Sequence, residues 1–133
     1  MEKLQVKFRL FNTLLWSMQT LLAVTFLWAG YVKFFTPAEQ LAFMWPWTTG
    51  KPVLVIVAAI ADMLAGIGIL APRLLGLWPV LTLYACYGIM LLMFAAIVFH
   101  VSRGEVSNLW INFAIILMAV LIIFILANPI NRK

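Results

Sequence analysis

The sequence predicts an all-α protein: a four-helix transmembrane bundle with a short interfacial helix in the first outer loop. Two observations predict it. Hydrophobic residues make up 66% of the 133 residues and charged residues 10%, whereas an ordinary globular domain is about half apolar and about a quarter charged. The mean hydropathy of +1.11 points the same way. That apolar content also falls into four runs, about 11–35, 52–71, 74–100 and 108–127. Each is ~20 residues or longer, enough for a helix to cross a ~30 Å hydrocarbon core. Backbone groups find no water in lipid, so the spans are expected to be helical. A chain of this length forms a single domain, residues 1–133.

The first run, Phe11 to Phe35, follows Lys3, Lys7 and Arg9. Those charges resemble a signal-peptide n-region, but the run is too long for an h-region and no A-x-A site follows, so it reads as a retained span. In the first loop Thr36-Pro37-Ala38-Glu39 matches a capping box with Pro37 at the first helical position. A short helix through about Phe43 is expected there, ended by Trp45-Pro46-Trp47. The two tryptophans suit a membrane interface, where ring and N–H both find partners. Pro72-Arg73 separates the second run from the third, and Ser102-Arg103-Gly104-Glu105 separates the third from the fourth. Breaks this tight make successive spans antiparallel neighbours. Asn128 and Pro129 close the last run.

With four spans, Lys3, Lys7, Arg9, Arg73, Arg132 and Lys133 fall on one side and Lys33, Lys51 and Arg103 on the other. That bias puts both termini in the cytoplasm, and the expected location is a bacterial inner membrane. The net charge of +5 does not imply a nucleic-acid partner, because the basic residues sit at segment ends and form no stripe. A single cysteine, Cys86, excludes an intrachain disulfide and a CxxC pair. With one histidine and one cysteine, a three- or four-donor metal site is not expected.

The residue that demands an explanation is Asp62, ten residues into the second span. At ~1.5 Å per residue it lies ~15 Å deep, where an acid facing lipid costs roughly 2.5–3.5 kcal/mol. Ala58 and Gly66 share its face, and Ala61, Ala65 and Gly68 are also small, so a neighbouring helix can approach and Asp62 is expected to face the bundle interior. It is either a proton or ligand handle or a carboxyl hydrogen-bonded for structure. Lys33 is either a snorkelling interfacial lysine or an ion-pair partner for Asp62. The difference in depth, one turn against ~15 Å, stands against a direct pair. His100, Arg103 and Glu105 at the third-to-fourth connection, with Asn108 and Asn112 at the start of the fourth span, fall at the level of Lys33 and the tryptophan loop. Together they predict one polar mouth on the outer side. Asn108 and Asn112 share a helix face, and Glu105 joins it if that helix starts early. Gln19, Thr20, Tyr84 and Tyr87 read as interhelical hydrogen-bonding groups, and Cys86 as an inert packing residue.

These residues carry a family resemblance. Phe26-Leu27-Trp28-Ala29-Gly30-Tyr31-Val32-Lys33-Phe34 resembles the FLxAGxxKL signature of the DoxX-like membrane proteins. Asp62-Met63-Leu64-Ala65-Gly66-Ile67-Gly68-Ile69-Leu70 followed by Pro72-Arg73, then His100-x-x-Arg103-Gly104-Glu105 and an early asparagine, continue the likeness from about Leu14 to Ala127. Lys33, Asp62 and His100 match the family's recurring polar positions. Glutamate is common in the family where this chain has Asp62, one methylene shorter. The resemblance implies a four-helix membrane bundle. The family is named for an association with a thiosulfate:quinone oxidoreductase, some relatives accompany redox enzymes, and others look like assembly or trafficking factors.

Three functions remain open at this stage. The first is binding of a lipophilic ligand, with a quinone as the leading candidate cofactor, in support of a membrane redox complex, because the chain has no electron carrier of its own. The candidate polar-cavity residues are Lys33, Asp62, His100, Arg103, Glu105, Asn108 and Asn112. The second is a non-enzymatic scaffold that recognises an assembly partner protein. The third is a small transporter, for which four spans suffice only as a dimer; a homo-oligomer is among the possible partners.

Overall fold

A computed structural model describes residues 1–128. Pro129, Arg132 and Lys133, used above to close the last span and to count charge, lie outside the described residues. Helices α1 (Glu2–Phe35), α3 (Pro52–Leu74), α4 (Pro79–Ser102) and α5 (Leu109–Ala127) are long and apolar enough to cross a membrane. A short α2 (Ala38–Met44) and a 3₁₀ turn at Pro46–Thr48 fill the first loop. α1 packs most extensively on α3, α3 on α4, α4 on α5, and a lighter α1–α5 contact closes the ring. Leu22, Ile69, Cys86, Ile89 and Ile122 are wholly buried along the axis. The outer surfaces present large apolar side chains such as Leu64, Leu91 and Phe124, as expected where lipid is the solvent.

The boundaries differ from the sequence reading in three places. α1 starts nine residues earlier, at Glu2 rather than Phe11; at ~1.5 Å per residue its 34 residues run ~51 Å. Its first nine residues, through Leu10, are exposed and carry Lys3, Lys7 and Arg9, so this part projects from the end of the bundle. The break between α3 and α4 lies at residues 75–78, not at Pro72-Arg73. Pro72 removes only its own N–H so near the helix end, and the stop is Gly76 at φ +67°. The Leu77 N–H donates to Pro72 O at 2.7 Å and the Gly76 N–H to Arg73 O at 3.5 Å, the bond pair of a Schellman motif. The capping box at Thr36 is not formed. Thr36 ends α1, its N–H donating to Val32 O, and Pro37 takes the N-cap of α2 without a side-chain cap.

The α1–α3 interface depends on two glycines. A Cβ at Gly30 would lie 2.8 Å from the Met63 side chain and 3.1 Å from Ala59 O. A Cβ at Gly66 would lie 2.7 Å from Leu27 and 3.1 Å from Ala23 O. These contacts set the register: antiparallel, with Gly30 level with residues 59–63. α1 therefore ends below the start of α3, by roughly one turn or ~6 Å.

Candidate functional site

Lys33 occupies the last turn of α1 and Asp62 the middle of α3, and their side chains form an ion pair, Lys33 Nζ to Asp62 Oδ2. The depth objection fails because it assumed that both helices start from one boundary. The register set by Gly30 and Gly66 lowers Lys33 toward Asp62. The pair is removed from solvent, with the two side chains 10% and 8% exposed. Desolvation of that order makes the pair interdependent: each charge is tolerable because the other is present.

The tryptophan loop closes over this pair. Lys33 Nζ lies 4.9 Å from the centroid of the Trp45 ring and 6.0 Å from that of Trp47, within cation–π range. Thr48, itself buried, fixes the loop by donating from Oγ1 to Trp45 O at 2.8 Å. Trp45 is also edge-on to Trp28 at 5.9 Å, and Trp47 to Phe99 of α4 at 6.0 Å. The tryptophans are thus a roof over an ammonium group as well as interfacial residues. Spacing in the sequence gives no sign of that role.

A second polar pair sits where α4 ends. Gly104 at φ +74° turns the chain. The Glu105 N–H donates to His100 O at 2.9 Å and the Gly104 N–H to Val101 O at 3.0 Å, a second Schellman motif. The turn carries the Glu105 carboxylate back onto the helix it has just left, where Oε2 lies 3.0 Å from His100 Nδ1 and Oε1 accepts from Arg103 Nε at 3.1 Å. The hydrogen bond from His100 is the main influence holding the Glu105 carboxyl below the usual carboxylate range; partial desolvation opposes it, and the Arg103 hydrogen bond and charge assist. A carboxylate only accepts, so His100 carries a proton on Nδ1 and donates it toward Glu105. Arg103 also lies over Phe99 at 5.5 Å.

Between these pairs lies a cavity of about 420 Å³. Leu54, Val57, Ala58 and Ala61 of α3 line one wall, and Leu92, Ala95, Ala96 and Phe99 of α4 the other. Both sets follow a single helical stripe, so the cavity is the crevice between two apolar helix faces. Lys33, Asp62, His100, Asn112 and Trp47 supply its polar lining. An adjoining pocket of about 350 Å³ shares Trp47, His100 and Asn112 and adds Glu105 and Asn108. Six of the seven residues expected at a polar mouth therefore line two connected hollows. The seventh, Arg103, reaches them only through Glu105. Glu105 does not join the face of Asn108 and Asn112, because α5 begins only at Leu109.

Gln19 is buried and bridges helices, donating from Nε2 to Ile69 O at 2.8 Å. Thr20, Tyr84 and Tyr87 are exposed on the outer surface, where an interhelical role is not available to them. Cys86 is wholly buried. Among the described residues no cluster of three or more metal-ligating side chains occurs.

A profile of the DoxX-like family matches residues 17–123. No curated protein and no solved structure matches the chain.

Proposed function

The chain belongs to the DoxX-like family, and from that premise we propose that it is an inner-membrane protein whose mouth binds a lipophilic ligand with a polar head, a quinone in the first instance, in support of a membrane redox complex. One observation carries the reading. An apolar crevice of about 420 Å³ is lined by a histidine backed by a carboxylate, an asparagine and a buried ion pair. Ligand sites combine mostly apolar walls and a few convergent polar groups in this way, at ~300–1,000 Å³.

The donor set suits a quinone. Such a ligand supplies two ring carbonyls, an isoprenoid tail and two-electron redox chemistry. The Asn112 amide donates to a carbonyl oxygen. His100, tied at Nδ1 to Glu105, presents Nε2 to the second oxygen of the head, a carbonyl in the quinone and a hydroxyl in its reduced form. Second-sphere carboxylates commonly fix a histidine tautomer in this manner. Lys33 and Asp62 neutralise one another and form the floor, so the head meets polarity without net charge. Trp47 and Phe99 exclude water. In a redox complex of this kind, electrons pass to or from a partner protein. The basic bias toward the N-terminal face sets both termini in the cytoplasm and the mouth outward.

The test is a titration with a short-chain benzoquinone, read by tryptophan quenching, on wild type, Asn112→Leu and Ala61→Phe. Ala61 lines the crevice without touching either polar pair, so Ala61→Phe should block binding in a folded protein. Equal quenching in all three would defeat the reading.

A further inference from the structure

The opposite end of the bundle holds a second hollow, of about 400 Å³. Arg73, in the last turn of α3, is its only charged lining residue among the described residues. Asn12 and Gln19 of α1 hold it: Arg73 Nη1 donates to Gln19 Oε1 at 2.8 Å and Nη2 to Asn12 Oδ1. Trp16, between them on the same face, lies under the guanidinium at 4.3 Å. Gln19 is itself fixed by its bond to Ile69 O. The guanidinium is therefore oriented by neutral groups on one side and stacked on another. A guanidinium carries five N–H donors, and among the described residues Nη1 and Nη2 are bonded to amide oxygens alone. Among the described residues no acid forms an ion pair with Arg73, whereas Asp62 and Glu105 are both spent at the mouth.

A pre-oriented arginine with no acid paired to it among the described residues, in a hollow otherwise walled by Phe8, Leu15 and Leu126 among others, is half of an anion site. Arginine presents a planar fork that matches phosphate oxygens. The apolar walls and the bilayer level specify what else the anion carries. The exposed start of α1 adds Lys3, Lys7 and Arg9 at the same end, and basic pockets between helices at this level suit acidic lipid headgroups. We propose that Arg73 binds the phosphate of an anionic phospholipid in the leaflet on the N-terminal side, with an acyl chain in the hollow. This site lies at the far end of α3 from the mouth and does not depend on the ligand proposed there.

Native mass spectrometry tests it, with wild type, Arg73→Gln and Arg103→Gln released from mixed micelles of phosphatidylglycerol or phosphatidylcholine. Wild type should retain one phosphatidylglycerol preferentially. Arg73→Gln should lose that preference several-fold, and Arg103→Gln, altered at the other end, should keep it. Equal retention of both lipids by wild type overturns the proposal without recourse to any variant, and so does an unchanged preference in Arg73→Gln. Thermal protection supplies the last arm. Inorganic phosphate that protects wild type as well as phosphatidylglycerol does would make the occupant a soluble anion and overturn the lipid assignment.

Discussion

Removing either member of the Lys33–Asp62 pair should destabilise the bundle far more than removing both. Both side chains are nearly excluded from solvent, so a partner left alone keeps most of its desolvation cost. Breaking one side of such a pair typically costs ~3–5 kcal/mol, because a charge is left buried and unmatched. Lys33→Met leaves Asp62 alone in the crevice. Asp62→Asn leaves the ammonium under Trp45 and Trp47, whose cation–π contacts return ~0.5–2 kcal/mol. Asp62→Asn should therefore be the milder single change. The double variant removes both charges and keeps the shapes, so the coupling should reach ~2–3 kcal/mol, the upper part of the range for contacting residues. Equilibrium unfolding of detergent-solubilised protein by increasing mole fraction of dodecyl sulfate measures all four corners of the cycle. Additivity within ~0.5 kcal/mol would refute the interdependence argued from burial.

Gly66→Ala should cost ~1–3 kcal/mol by overpacking the α1–α3 contact, with partial rescue by Leu27→Ala, since Leu27 meets the new methyl first and Ala23 O remains. The same unfolding assay reads both. Gln19→Leu should cost ~1–3 kcal/mol, because Ile69 O and the Arg73 guanidinium both lose a buried partner. The Glu105 carboxyl is held below its ordinary value of 4.5, so the support it gives the α4–α5 turn is complete above about that pH and is lost as pH falls through the lower folded value. A ¹³C titration of the Glu105 carboxyl should show the depressed midpoint, and Arg103→Gln should move it upward.

The spans and the inward face of Asp62 were legible because both rest on local pattern: long apolar runs, and small residues four apart around an acid. The mouth was legible because span ends sort polar residues by level, and His100, Asn108 and Asn112 lie at such ends. The Lys33–Asp62 contact was not, since depth counted from span ends carries no information on how two helices are offset. That offset comes from Gly30 and Gly66 packing against side chains and carbonyls of another helix. Pro72 drew attention as a break, whereas Gly76, the residue able to adopt positive φ, was the stop signal. Gly104 was visible in the same way, but its consequence, a carboxylate folded back on His100, needs the turn geometry. Asn12, Trp16 and Gln19 do recur on one helix face. Arg73 joins them only through the antiparallel register.

Mass spectrometry of small molecules extracted from gently purified protein, wild type beside Ala61→Phe and Asp62→Asn, tests the ligand-binding mouth most directly. A quinone or a similar polar-headed lipid enriched with wild type and lost from a folded Ala61→Phe is the expected result, with Asp62→Asn losing it as the floor of the site is changed. Equal content in wild type and Ala61→Phe, or nothing enriched in wild type, would contradict it and leave Lys33, Asp62 and His100 as groups that hold the bundle and its loops together.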